Sequence, residues 1–505
     1  MPTSTPPLPE DFLFGVATAG FQIEGGFNGP GQPANNWLTW EQLGRVEPSG
    51  VAADFWAHPE EALDRAAGLG CNSFRLGLEW ARVEPREGEI DDAALAGYAS
   101  ILDGCTERGM APLVTLLHFT HPAWLGEEFW LRADSSERYR AWVEVALGAL
   151  AGKCRHWVTL NEVNAVGLGS WILGIFPPGR RMAFGDAAVA MDNQLAGHVL
   201  GYEAVHRARP DAVVTTNAAS VSLYEFDALL TDILMARSMG IDRADLDRWL
   251  DDRRVRHYAA HPTANWGEQV LRRLSAATSP YGVRSPRAPG ARRTGGGALV
   301  GPCGSPIRPR SPGRAVDAVY ASVHERTLDV VGFDYYDPLA ARHLRLPGHV
   351  TAGGRAWAPA RELWDDVPNP DGLRAWLEAQ HAMTPDVPLW VVENGLCNRV
   401  HNARSYPRLD GWDRSRYLRE NIAAVVSAAD AGLPVGGYWH WSLVDNYEWG
   451  SYQPRFGLFG LDRHHGPSGA KWLDTDSLGG DAAGTYRRII AGLRNGDRSV
   501  LTEPA

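Results

Sequence analysis

Eight short apolar runs, separated by stretches with apolar residues three and four positions apart, set the limits on what this chain can fold into. The runs cover 12–19, 73–78, 111–117, 155–160, 212–216, 328–333, 387–392 and 435–439. They are brief, rich in branched residues and bounded by turn formers, so they read as buried strands. The intervening pattern predicts helices at 58–69, 95–108, 139–150, 186–208, 227–239, 266–276, 369–383 and 415–431. Alternation of this kind implies parallel strands with helices packed outside. Eight strands favour one closed (β/α)8 TIM barrel with elaborated loops. An open doubly wound sheet is the alternative, but no GxGxxG follows the first run.

In such a barrel the C-terminal ends of the strands share one face, and chemistry is placed there. Gln22, Glu79, His118, Glu162, Asn217, Tyr336, Glu393 and Trp441 fall at those ends. Runs 155–160 and 387–392 each end in a glutamate beside an asparagine, Asn161-Glu162 and Glu393-Asn394. A charge at the end of a buried strand needs a reason, because the low-dielectric interior meets a pocket there. Two such carboxylates suit glycoside hydrolysis. One protonates the leaving oxygen; the other attacks the anomeric carbon or activates water. The neighbouring asparagines can hold a sugar hydroxyl or orient a carboxylate. Arg75, on the second run, would keep a nearby carboxylate ionised. A lone strand-end glutamate is more often a salt-bridged rim residue. Two in matching contexts, with an arginine and aromatic surroundings, point to chemistry.

Composition narrows the rest. The chain has 505 residues, 44% of them apolar, which is ample for a packed core. A net charge of −11 argues against nucleic acid as the main partner. Twenty tryptophans suggest stacking surfaces for flat or sugar-like ligands, although core filling accounts for most. Cys71, Cys105, Cys154, Cys303 and Cys397 are scattered without a CxxC pair, and read as reduced, buried thiols. The first ten residues carry no leader pattern, and no apolar run is long enough for a membrane span, so a cytoplasmic location is expected. Residues 281–314 are rich in Pro, Gly, Ser and Arg and lack acidic residues. They are expected to be a flexible surface insert, or more pointedly a lid or docking arm. The division expected is a lead at 1–10, one catalytic domain at 11–495 and a tail at 496–505. The sequence leaves the oligomeric state open.

Longer motifs occur in a telling order. They are FLFGVATAGFQIEG at 12–25, NSFRLGLEWAR at 72–82, Thr159-Leu160-Asn161-Glu162, Val392-Glu393-Asn394-Gly395, and WSLVDNYEW at 441–449 with Arg455-Phe456-Gly457-Leu458. Together they resemble glycoside hydrolase family 1, the β-glucosidase family, from residue 12 to about 462. The resemblance implies a retaining exo-β-glycosidase acting on a small-molecule β-glycoside without cofactor or metal. It implies Glu393 as nucleophile and Glu162 as general acid/base, about 5 Å apart. That chemistry asks for a raised pKa on Glu162 and an ionised Glu393, which Arg75 and Tyr336 would favour. Tyr336 is chosen over Tyr335 because it shares a strand face with Asp334. Gln22, His118, Asn161, Glu448 and Trp449 would hold sugar hydroxyls. Trp441 would be the stacking floor and Phe456 a wall. Glu79, His121 and His440 are expected to be structural.

Three positions depart from the family pattern. Val163 replaces the proline after the acid/base, Asp334 replaces the asparagine before the paired tyrosines, and Phe119 stands where tryptophan is common. The departures bear on the substrate more than on the reaction, and the many aromatics suggest a hydrophobic aglycone. Three other functions remain: transglycosylation by the same carboxylates, a non-catalytic sugar-binding barrel, and 6-phospho-β-glycoside hydrolysis. Glu448 would repel the phosphate required by the last.

Overall fold

The computed structural model describes residues 8–221, 223–260, 313–336, 350–351, 354–355, 368–401, 404–408, 410–463 and 470–502. Nine strands form the barrel sheet. They are β1 (Leu13–Ala17), β2 (Ser73–Gly77), β3 (Ala111–Thr115), β4 (His156–Val158), β5 (Val213–Thr215), β6 (Asn217–Ala219), β7 (Val331–Tyr335), β8 (Leu389–Asn394) and β9 (Val435–Trp441). Their order is β5-β4-β3-β2-β1-β9-β8-β7-β6, with every ladder parallel. The two ends of that order, β5 and β6, are separated in the chain by Thr216 alone. The sheet therefore curls round to meet itself, as expected. Nine segments appear instead of eight because the fifth run breaks: β5 pairs with β4, and β6 with β7. Thr215 spans the break with its side chain. Its hydroxyl donates to the Val330 carbonyl at 2.7 Å and accepts from the Gly332 N–H at 3.1 Å.

Alternate residues separate two layers, as the pleat requires. Ala17, Leu113, Val158, Val330, Trp390 and Trp439 pack inside the barrel. Phe14, Phe74, Val114, Trp157, Val391 and Tyr438 face outward against the helices. The outer ring includes α1 (Pro59–Gly68), α2 (Asp92–Glu107), α3 (Ser135–Leu150), α4 (Phe184–Ala208), α5 (Ala228–Met235), α6 (Leu246–Ala260), α7 (Arg314–Ala321), α8 (Pro370–Met383), α9 (Arg414–Asp430) and α10 (Ala482–Arg494). Local signals explain several starts. Proline opens α1 and α8, where a missing N–H costs nothing. Asp91 caps α2 through the N–H groups of Ala93 and Ala94, and Asp413 caps α9 through Arg416.

The helix expected at 266–276 lies outside the described residues, as does the insert except for 313–314. Helices α6, α7 and α10 were not anticipated. α6 carries charges on nearly every turn (DRWLDDRRVR), which blurs its apolar spacing. α10 supplies the helix that follows the last barrel strand. Most tryptophans fill the interior: Trp37, Trp80, Trp130, Trp142, Trp157, Trp171 and Trp439 are fully buried. Cys71, Cys105, Cys154 and Cys397 are buried free thiols, and Cys303 lies outside the described residues. Among the described residues no helix is long and apolar enough to cross a membrane.

Candidate active site

The site is built where β8 falls out of step with its neighbours. Both of its ladders slip immediately after Val391. Trp390 and Val392 point into the barrel. Strict alternation would then send Glu393 outward and Asn394 inward. The bulge reverses this. Asn394 bonds outward, donating to Tyr417 Oη at 2.8 Å and accepting from Tyr438 Oη at 2.8 Å. Glu393 faces the barrel mouth. The chain then turns at Gly395, where a β-carbon would lie 1.9 Å from the Trp441 carbonyl oxygen. Only glycine lets the ends of β8 and β9 approach so closely.

Two donors meet Glu393. The Arg75 guanidinium, fully buried on β2, forms an ion pair with Oε1. Tyr336 donates its hydroxyl to Oε2 at 2.8 Å. Tyr335 points the other way and donates to the Asn369 carbonyl. Arg75 is itself held, by Thr115 Oγ1 at 3.0 Å and Asn161 Oδ1 at 2.5 Å.

Glu162 follows β4 with left-handed backbone angles, φ 40° and ψ 63°. That conformation costs a non-glycine residue about 1–2 kcal/mol. Phe119 and Trp449, also at the mouth, share a positive φ. Strain of this kind gathers at functional sites. Val163 opens the short helix Val163–Gly167 directly after Glu162, so the missing proline leaves the turn helical.

Glu162, Asp334 and Glu393 each place an oxygen within 4.8 Å of the other two. That spacing would admit a cation, but Arg75 already supplies positive charge there. Burial, and then the charge of Glu393, push Glu162 up to about 8. The same two causes push Glu448 up to about 8. Burial and the Glu393 and Glu162 charges hold Asp334 well above the carboxylate range. Burial and Glu393 raise the Tyr336 phenol well above its usual value. Burial, assisted by Arg75, lowers His118 and keeps its imidazole neutral.

The remaining candidates surround this core. Gln22, on a short helix after β1, donates to Asn446 at 3.1 Å and Glu448 at 3.2 Å. Asn161 donates to His118 Nε2 at 3.1 Å. Gln22 Oε1 and His118 Nδ1 are buried without a protein partner. Trp441 and Trp449 each stack with the His118 ring, at 5.8 and 5.6 Å between centroids. Trp449 also packs on Phe119 at 4.7 Å. Phe456 stands edge-on to Tyr336. All eleven candidates thus lie in one cluster.

Glu79, His121 and His440 belong elsewhere. Glu79 accepts from the Phe21 N–H and the Thr120 hydroxyl, His121 bonds the Gly126 carbonyl, and His440 is fully buried. Sequence reasoning missed Thr115, Asn446 and the role of Asn217. Asn217 donates to Asn161 at 2.8 Å and to Asp334. Its place at a strand end was visible; its partners depend on register.

A closed parallel barrel with two carboxyl groups paired at its mouth defines a glycosidase of the TIM-barrel class. Sequence comparison gives the family. A sequence model of glycosyl hydrolase family 1 matches residues 4–471, and the chain belongs to that family. Its relatives include the wheat (Triticum aestivum) 4-hydroxy-7-methoxy-3-oxo-3,4-dihydro-2H-1,4-benzoxazin-2-yl glucoside beta-D-glucosidase 1d, chloroplastic. That enzyme is 25% identical over 501 residues, covering 92% of this chain and 82% of that one. They also include 6-phospho-beta-galactosidase 1 of Streptococcus pneumoniae, 25% identical over 464 residues, covering 90% and 94%. The family 1 β-glucosidase of Thermotoga maritima shares the fold, with a TM-score of 0.69, 20% identity, and coverage of 97% and 99%.

Proposed function

We propose that this enzyme is a retaining exo-β-glycosidase that releases a terminal β-glucosyl residue by double displacement. The observation that carries the reading is the spacing of Glu162 and Glu393, whose nearest oxygens lie within 4.8 Å. Carboxyl groups about 5 Å apart suit direct attack, whereas inverting enzymes leave about 6.5–9.5 Å for a water. Glu393, oriented by Arg75 and Tyr336, attacks the anomeric carbon. Glu162, raised to about 8, is protonated at neutral pH and hands its proton to the leaving oxygen. As a carboxylate it then takes a proton from the water that hydrolyses the glycosyl ester.

Gln22 Oε1 and His118 Nδ1, buried without protein partners, are suited to sugar hydroxyls. Asn161, Glu448 and Trp449 line the same space, Trp441 offers an indole face to the C–H side of the ring, and Phe456 closes the wall. A recess beside the Glu162 helix sets the aromatic faces of Trp37, Phe119, Trp171 and Phe176 among Asn36, His121, Glu127 and Ser170, and those faces support a hydrophobic aglycone. The wheat relative, named for a benzoxazinyl glucoside, supports that choice. A 6-phosphate is disfavoured. The groups acting most strongly on Glu448 are Glu393, Trp441, Gln22 and Asp445, none of them a cation.

The test is hydrolysis of an aryl β-glucoside followed by NMR. The first product should be the β-anomer, and Glu393→Ala should lower turnover by at least about 10⁴-fold. A wild-type rate in that variant, or an α-anomer released first, would overturn the assignment. Equal kcat/KM on cellobiose and on aryl glucosides would remove the hydrophobic-aglycone part alone.

A further inference from the structure

β7 brings a third carboxyl group into the pocket, and the double displacement leaves it unused. Asp334 is fully buried and sits opposite Glu393 across the β7–β8 ladder. Its Oδ2 accepts from the Asn217 amide. Its Oδ1 has no N–H or hydroxyl donor. What it meets is the Glu162 carboxyl, which sets an oxygen within 4.8 Å of it. A carboxylate only accepts, so two carboxyl groups bond each other only when one keeps its proton.

The other groups around the pair cannot replace that proton. From β2, Arg75 is committed to Glu393 and Asn161. From β8 comes Glu393 itself, and from the segment after β9 comes Glu448, both acidic. Tyr336, after β7, spends its hydroxyl on Glu393. His118, after β3, is neutral and accepts from Asn161. One guanidinium thus faces four carboxyl groups in a water-poor pocket. Full ionisation there is costly.

We propose that Asp334 is a positioning residue for the acid/base: Glu162 and Asp334 share one proton in the free enzyme, and the pair titrates as a unit. The inference rests on Glu162 being the acid/base. In the first step the shared proton passes through Glu162 to the leaving oxygen. The glycosidic C–O bond breaks as the bond from Glu393 to the anomeric carbon forms. Both members of the pair are then ionised, and the charge of Glu393 has been consumed in its ester. The number of negative charges in the pocket is unchanged. In the second step water's oxygen bonds the anomeric carbon, its proton returns to the pair, and the ester bond breaks to restore the Glu393 carboxylate. Such a pair releases its protons in two stages that belong to neither residue alone.

The experiment is the pH profile of kcat/KM for wild type and Asp334→Asn, on one aryl glucoside with a poor leaving group and one with a dinitrophenyl leaving group. The asparagine removes the like charge, so the alkaline limb should move down by about one pH unit. Rates at pH 8 should fall on the poor leaving group and hold on the activated one, which needs no acid. An unmoved limb overturns the proposal, as does an equal loss on both substrates. Infrared difference spectra of the wild type against Asp334→Asn supply a second readout, in which the bands of Glu79 and Glu448, also raised to about 8, cancel. A protonated-carboxyl band should persist at pH 7 and bleach along the alkaline limb; its absence at pH 7 overturns the proposal. Exhaustive chelation should leave the profile in place, and a shift would mean that a cation holds the pair. A 2-deoxy-2-fluoro-glucoside trap separates the two levels of argument. Labelling of Glu393 with an unmoved limb sinks the shared proton alone. Failure to label Glu393 in the wild type sinks the parent reading.

Discussion

Glu393 illustrates how few atoms set the reacting geometry. Its carboxylate meets one guanidinium and one phenol, and every other close acid repels it. Removing the phenol should cost catalysis more than binding. Tyr336→Phe is expected to lower kcat by about 10²-fold, the scale of one donor lost from a water-poor site, with KM within a few-fold. Steady-state kinetics on an aryl glucoside checks this, and an unchanged kcat would show that the hydrogen bond lends nothing. At this scale much was legible. A charge that ends an apolar run has few explanations, so Glu162, Glu393 and Arg75 could be picked out. Thr115 and Asn217 could not. Thr115 matters because its hydroxyl accepts from Arg75 on the neighbouring strand. Asn217 matters because register brings it to Asp334. The left-handed backbone of Glu162 was equally hidden, since nothing in a glutamate announces it.

The elements show where pattern reading stops. Existence and order of the strands followed from apolar runs and turn formers, but the break in the fifth did not. Thr215 looks like any β-branched strand residue, yet its hydroxyl stands in for ladder hydrogen bonds to Val330 and Gly332. Thr215→Val keeps the shape and removes those bonds. Leaving buried backbone groups short of partners should cost about 1–3 kcal/mol. Urea unfolding should show a lower midpoint with an unchanged slope, and kcat at 25 °C should stay within a few-fold. A midpoint equal to that of the wild type would mean that β6 closes the ring unaided. α6 escaped notice for the opposite reason, because its charged residues dilute the periodicity by which helices are found.

The whole molecule carries an electrostatic load from its buried acids. Glu79, Glu162 and Glu448 rise from 4.5 to about 8, burial being the largest cause in each. The folded chain keeps these protons in a range where the unfolded chain has released them. Their contribution to stability is therefore fully present below pH 4.5 and is lost as pH rises to about 8. The slope is at most about 1.4 kcal/mol per pH unit for each group. Acids held low by arginines, such as Asp134 beside Arg132 and Arg138, titrate below this window. Between pH 7 and pH 8, above the range in which buried histidines such as His121 and His198 act in the opposite sense, the urea midpoint should fall, and Glu79→Gln, outside the catalytic cluster, should flatten the fall. A midpoint flat across that range would contradict the argument. Closure of the barrel was readable at this scale because eight alternations leave little other choice. The pairing of acids was not, because it arises between strands far apart in sequence.

The slip in β8 has one more consequence. Before it, the strand keeps time with β7, and its beat places tryptophan and valine in the core. After it, the strand runs a half-period late, and the off-beat residue is the glutamate that faces the sugar. One segment thus speaks in two phases, the first serving cohesion and the second reactivity, with Val392 as the syncopation between them.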